Sequence, residues 1–119
     1  MNVARYRRVI ERLYTDRCTI YRYQAMKDPD TKETKQVLQP VYVDRPCRIS
    51  QRALGTNDQT EAQNDIRYET KLFIAPELEI RQGDSIEVTR ESMTRLYTAG
   101  EPFLYSTHRE VSLQRKEWA

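Results

Sequence analysis

The stretch from Ile80 to Arg115, IRQGDSIEVTRESMTRLYTAGEPFLYSTHREVSLQR, constrains the fold most, because it repeats short alternating apolar segments between glycine turn signals. Ile86 and Val88 fall on one face of an extended segment, with Ser85, Glu87 and Thr89 on the other. Val111 and Leu113 repeat the pattern, opposed by Glu110, Ser112 and Gln114. Gly83 before Asp84, and Gly100 before Glu101 and Pro102, read as reversals, since a glycine accepts backbone angles that a Cβ opposes. The expected order is strand, turn, strand, turn, strand, with Ser92 to Arg95 at a hairpin tip. No active-site signature interrupts the run.

Upstream, the period changes. From Asn2 to Tyr14 the residues Val3, Tyr6, Ile10 and Leu13 recur at spacings of three and four, with Val9 beside them, which predicts an amphipathic helix within residues 1–15. Arg5, Arg7, Arg8 and Arg12 cover its remaining surface. The plain reading packs this helix on a sheet with solvated arginines; a basic helix also invites nucleic acid or a membrane surface.

Residues 16–119 then read as β-structure. Asp16 to Tyr23 alternates Cys18 and Ile20 with Thr19 and Tyr21, as a strand does. Ala25 to Pro40 is polar and hairpin-like, with Asp28-Pro29-Asp30 as its turn; Asp28 and Asp30 lack the spacing of a calcium loop. Val41 to Arg52 is a second strand in which Pro46, having no amide donor, predicts an edge or a bulge. Ala53 to Asp65 has almost nothing to bury and reads as a solvated, movable loop. Ile66 to Ala75 sets Ile66, Tyr68, Leu72 and Ile74 on one face and Arg67, Glu69 and Lys71 on the other. Phe73 breaks the polar face, either as an interface anchor or packed under the helix. Trp118 is either a cap on the barrel bottom or a docking residue.

The predicted fold is therefore mainly β: a small antiparallel β-barrel with one N-terminal α-helix and two long polar loops, in one domain spanning 1–119. A length of 119 residues supports one modest core. Lys+Arg 20 against Asp+Glu 18 leaves a net charge of only +2, without the basic excess of a dedicated duplex binder. No apolar run approaches the ~20 residues that cross a bilayer, so a soluble, cytosolic protein without a membrane partner is expected. Cys18 and Cys47 lack a metal-ligand spacing and read as reduced thiols inside strands.

Several blocks in order resemble a known family. Asp16-Arg17-Cys18-Thr19-Ile20-Tyr21-Arg22, Tyr42 to Ser50, Ile74-Ala75-Pro76, Ile80 to Asp84, Tyr97 to Phe103, His108 to Val111 and Glu117-Trp118-Ala119 are similar to segments of the small head-tail connector proteins of long-tailed bacteriophages and prophages, the head-completion or stopper family. The resemblance implies a structural virion protein, made in the bacterial host cytoplasm and placed at the head-tail interface. Its implied partners are portal or adaptor ring proteins, tail proteins, packaged DNA in the channel, and further copies of itself in a ring, dodecameric when assembled and monomeric when free. It implies that the loop of Gly55, Thr56, Asn57, Asp58, Gln59, Thr60, Glu61, Ala62, Gln63 and Asn64 lines or blocks the channel, with the 25–40 segment as the alternative. Contacts with neighbours are expected at Arg5, Arg8, Arg12, Arg67, Glu69, Lys71, Phe73 and Trp118.

Enzymatic chemistry finds little support in the residues. His108 is the sole histidine and is expected to bond backbone within a strand; glycine occurs only three times, too few for a phosphate-cradling loop; and Glu77 and Glu79 alternate as surface carboxylates do. No catalytic residues, cofactor or metal are expected. The rival class is a small barrel that binds single-stranded nucleic acid through its eight tyrosines and many arginines, which requires the tyrosines to share a face.

Overall fold

The computed structural model describes residues 2–54 and 67–116. The chain runs α1 (Val3–Glu11), β1 (Asp16–Lys27), β2 (Thr34–Leu54), β3 (Arg67–Ile74), β4 (Ser85–Arg90), β5 (Met93–Leu104) and β6 (Arg109–Arg115). The six strands close into an antiparallel barrel in the order β1-β2-β3-β6-β5-β4. One parity of every strand supplies the core: Cys18 and Ile20, Cys47, Leu72 and Ile74, Ile86 and Val88, Tyr97 and Ala99, Val111 and Leu113. Period-2 sequence thus becomes a single apolar interior, because successive side chains of a strand point to opposite faces.

Closure depends on β2, which is too long for one partner. Residues 34–47 pair with β1, and residues 47–54 pair with β3, so Cys47 sits where the strand changes neighbours, opposite both Asp16 and Ile74. Asp16 is buried beside this point, and its Oδ2 accepts the Ile49 amide at 2.9 Å. Two register shifts between Cys18 and Tyr21 bend the β1–β2 ladder, and Asp44 adopts a positive φ of 51° there, its amide donating to Thr19 Oγ1. Pro46 lies at the handover, on a stretch with a neighbour on one side only, as its missing donor requires.

The 25–40 segment is not a loop. β1 pairs with β4 only as far as Tyr21, yet its pairing with β2 continues from Arg22↔Gln39 to Lys27↔Thr34, so a two-stranded arm extends past the barrel wall. Its tip spans 28–33, where Asp28 Oδ1 accepts the Asp30 amide and Lys32 takes a φ of 60°. The hairpin-like character and the Asp28-Pro29-Asp30 turn are legible in the sequence, but the length of the paired strands is not, because a ribbon without a core shows no alternation of burial.

The C-terminal meander also shifts its turns. β4, β5 and β6 form it, but the reversals fall at Glu91-Ser92, with Glu91 at φ 53°, and between Leu104 and Arg109. Gly83 turns the chain into β4 at φ 93°, whereas Gly100 lies inside β5, at the bulge between Ala99 and Pro102. A Cβ on Gly100 would stand 3.1 Å from the Ser112 carbonyl oxygen, so here glycine serves close approach of two backbones rather than a turn. Ile80 belongs to the core without belonging to a strand.

α1 is capped by Asn2, whose side chain accepts the Arg5 amide at 3.3 Å. It ends three residues earlier than the periodicity suggests, and no residue of it is buried; Val3, Tyr6 and Val9, with Leu13 just beyond, are exposed. The expectation that it packs on the sheet is corrected accordingly. It is tethered instead by Arg7, which bonds Glu11 on the helix and Glu77 beyond β3.

Asp84 is the buried charge that the arm's base depends on. Both its oxygens receive Arg22, at 3.0 and 2.8 Å, and Oδ2 also accepts the Arg81 amide at 2.9 Å. Replacing Arg22 leaves a buried carboxylate without its cation. Arg22→Ala should lose about 2–4 kcal/mol in chemical denaturation, while Arg17→Ala, whose partner Asp44 is exposed, should lose well under half of that.

Tyr14 offers the opposite case, since its hydroxyl is buried with no partner. Burial, with a smaller contribution from Glu11, pushes its phenol up to about 12 from an ordinary 10.0. A raised folded-state value for an acid that ionises to an anion means the stabilisation is complete below pH 10.0 and is lost as pH rises through about 12. Tyr14→Phe should equal or exceed the parent in stability at neutral pH, by up to about 1 kcal/mol, and should flatten the alkaline loss measured by denaturation at stepped pH.

Candidate functional site

The outward faces, not the interior, carry the residues that can meet a partner. On β3, Glu69, Lys71 and Phe73 point outward as the alternation requires, because Thr70, Leu72 and Ile74 are buried. Arg52 on β2 stands directly opposite Glu69 and bonds it at 2.7 Å. Lys71 reaches Glu69 at 3.5 Å and Glu110 on β6 at 2.9 Å, and Glu110 raises the pKa of its ammonium group. Glu69 and Lys71, expected to face neighbouring copies, are thus engaged within the chain, across β2, β3 and β6. An exposed network of this kind adds little stability and can exchange partners at small cost.

Phe73 ends this row. Its ring lies 5.6 Å from that of His108, which stacks at 4.8 Å on Tyr105, which in turn lies 4.8 Å from Phe103. Four rings from β3, the β5–β6 turn and β5 therefore form one ladder, with Phe103 and Tyr105 exposed. The two alternatives for Phe73 were an interface or the helix; its observed neighbour is His108. His108 itself lies in the turn, not in a strand: Nδ1 is 3.0 Å from Thr107 Oγ1, and Nε2 is 3.7 Å from Glu110. Sequence reasoning missed the ladder because its members sit on separate elements, and only the spacing of Phe103, Tyr105 and His108 around a turn hinted at it.

Arg5 and Arg8 on α1, and Arg12 at its C-terminal cap, are exposed as expected. Arg7, between them, is the one that ties helix to barrel; hydrogen bonding to Glu77 and then Glu11 raises its pKa, and the same pair holds Glu77 below its usual range. Glu79 is exposed and held down by Arg81. The loop from Gly55 to Asn64 and Trp118 lie outside the described residues, and Arg67 is placed only by its backbone, opposite Leu54.

The arm supplies a different kind of contact. Among the described residues, Arg22 to Lys27 have no strand on their outer side, nor do residues 34–46 of β2. The β2 edge is interrupted by Pro40, by Asp44 in its left-handed conformation and by Pro46. The β1 edge has no such interruption, and Tyr23, Met26, Val37 and Leu38 on the arm are exposed. Unpaired edges with apolar side chains are ready templates for another strand.

Chemistry is sparse elsewhere. Cys18 and Cys47 are buried free thiols; hydrogen bonding to Cys18, then burial, pushes the Cys47 thiol well above its ordinary range, which keeps it protonated and unreactive. Among the described residues, no three His, Cys, Asp or Glu side chains gather as metal ligands, and no helix is long and apolar enough to cross a membrane. The tyrosines are dispersed: Tyr97 is in the core, Tyr14 between α1 and β1 with its hydroxyl buried, Tyr42 accepting the Glu79 amide, Tyr23 on the arm and Tyr6 on the helix.

Comparison with known proteins gives one fold likeness and one family. A solved structure of the phage-like element PBSX protein xkdH from Bacillus subtilis is similar with a TM-score of 0.52 and 20% identity, covering 84% of this chain and 92% of that one. The model of the family of unknown function DUF6093 matches residues 6–102. No curated protein matches the sequence.

The charge row predicts a specific separation of effects. Lys71→Glu places three carboxylates together on an exposed face and should lower the thermal midpoint by no more than a few degrees in a calorimetric scan. Leu72→Ala, one residue away but facing inward, should cost about 2–5 kcal/mol.

Proposed function

The chain belongs to the family of unknown function DUF6093, and from that starting point we propose that it is a structural protein of a bacteriophage or prophage particle, joining the head to the tail as a ring and closing the DNA exit channel after packaging. The observation that carries the reading is the likeness of its barrel to a protein of a phage-like element over most of both chains. The ordered resemblance of its strand segments to head-tail connectors points the same way.

The architecture suits that work. A ring component needs surfaces that differ on its two flanks, so that copies add head to tail until the circle closes. Here one flank would be the arm with its uninterrupted β1 edge, and the other the charge row and ring ladder on β3, β6 and the β5–β6 turn. Arg5, Arg8 and Arg12 on the projecting helix would meet acidic surface on the portal or adaptor ring, and Trp118 the tail side. The loop from Gly55 to Asn64 would face the channel, where its Asp58 and Glu61 repel DNA rather than grip it. Individual exposed pairs are weak, so the free chain would be monomeric and assemble on the portal template, each small contact repeated around the circle, twelvefold in the expected ring.

Particles from a lysogen lacking this gene should show, by electron microscopy, filled or emptied heads and tails that remain separate; joined particles would remove the connector role. Restoring a chain without residues 55–64 should rejoin heads to tails but leave heads that lose their DNA. Retained DNA in those particles would remove the plug role alone.

A further inference from the structure

The interior of the barrel is not apolar throughout. Along the inward parity, the core residues give way at one end to cations: Arg95 follows Tyr97 and stands opposite Val88, and Arg115 follows Leu113 and stands opposite Tyr97. Strand geometry therefore places both arginines on the inner wall. They line an open cavity of about 530 Å³ with Gln51, Tyr68 and the buried Thr70, and this cavity shares Gln51, Arg95 and Tyr97 with a neighbouring one of about 510 Å³. The second space is floored by Ile49 and Val88 and adds Arg90, which has Asp16 at 3.7 Å. Glu91, on the rim, is the one carboxylate among the lining residues. Among the described residues, neither Arg95 nor Arg115 has a carboxylate within ion-pair distance.

We propose that this barrel mouth is a binding site for an acidic peptide segment of a partner protein, with Arg95 and Arg115 each taking a side-chain carboxylate. Arg95 is half-buried and Arg115 exposed at the mouth, so an anion seated between them meets two cations without having to strip a buried charge. The planar fork of arginine matches a carboxylate in bidentate fashion. Size selects among anions. A duplex carries its phosphates on a convex surface, which cannot enter a concave mouth deep enough to meet Arg95, whereas extended peptide reaches in one side chain at a time. Tyr97, Met93 and Val88 add apolar contact for residues between the acids. The site stands independently of the connector reading, since it depends only on the inner face of the barrel.

The test uses the full chain and fluorescence anisotropy with a labelled Glu-Ala-Glu-Leu-Glu-Ala-Glu peptide, its lysine analogue, and labelled oligothymidylate. The acidic peptide should bind in a salt-sensitive manner and the lysine analogue should not. Arg95→Gln and Arg115→Gln should each weaken binding about tenfold while leaving the denaturation midpoint within the range of other surface substitutions; Arg5→Gln on α1, which lines neither cavity, should change nothing. Absent binding by the parent chain, or equal binding by the double variant, overturns the proposal. Tighter binding of oligothymidylate that the same two substitutions abolish also overturns it, by making the mouth a nucleic-acid site.

Discussion

The whole molecule depends on one strand changing partners. Had β2 stayed with β1 along its length, the sheet would remain open and the apolar parity of β3 and β6 would face water. Because it leaves β1 at Cys47 and takes up β3, the sheet curls and closes, and the inward residues meet in one core. The bend needs devices that ordinary ladder geometry does not supply: the register shifts opposite Ile20, the left-handed Asp44, and Pro46, which asks for no ladder partner. Asp16 completes the handover by accepting the Ile49 amide. The same event produces the arm, since what β2 and β1 have left over once the barrel has closed can pair only with each other.

Burying polar groups at these joints is tolerable because each has partners in place. Asp16 and Asp84 are both almost fully buried, and both stand where a chain changes direction. Asp84 shows why the base of the arm is stiff: its two oxygens collect a guanidinium from β1 and an amide from its own turn, fixing Arg22, and with it the start of the free ribbon, to the Gly83 turn. Among the described residues the helix has no comparable anchor. One arginine bonded to exposed Glu77 holds it, and Val3, Tyr6 and Val9 on it are exposed.

Much of the barrel was legible from residue order because burial on one face imposes a period that composition cannot hide. Ile86, Val88, Leu72, Ile74, Val111 and Leu113 fell on the expected parity and are core residues. What misled was punctuation. Gly100 and Pro102 carry the signs of a turn, but a bulge that brings two backbones to touching distance recruits the same residue types, and nothing local separates the two uses. The reversal expected at Ser92 to Arg95 falls at Glu91-Ser92, slightly earlier, and lacks glycine altogether, its left-handed residue being a glutamate. The arm's hairpin and its turn at Asp28-Pro29-Asp30 were legible, but its strands read as a polar loop because alternation reports burial, and a ribbon in solvent buries neither face. Partnerships between elements were the least legible: Glu69 and Lys71 were seen to face outward, but that Arg52 and Glu110 flank them follows only from strand order. The inward arginines were overlooked for the same reason, since Arg95 and Arg115 look like surface charge until the register places them beside Val88 and Tyr97.

The arm also bears on what symmetry a self-assembly of this chain would adopt. An open edge can pair with its own copy about a twofold axis, giving a closed dimer, or with an unlike surface, giving a ring or a filament. Antiparallel pairing of the β1 edge with itself, centred between Gln24 and Ala25, would set Arg22 opposite Lys27 at both ends, and like charges directly across a ladder oppose pairing. The β2 edge is broken by two prolines and a left-handed residue, so a twofold contact through it lacks a continuous ladder. Both routes to the closed dimer are thus disfavoured by the residues on the edges themselves. What is left is a contact between unlike faces, and the row of charges and rings on the β3–β6 side offers such a face, carrying Glu69 and Glu110 where the arm carries Lys27, Lys32 and Lys35. Those carboxylates are already shared with Lys71 and Arg52 at the surface, where pairs are weak, so an incoming lysine would exchange partners instead of stripping a buried ion.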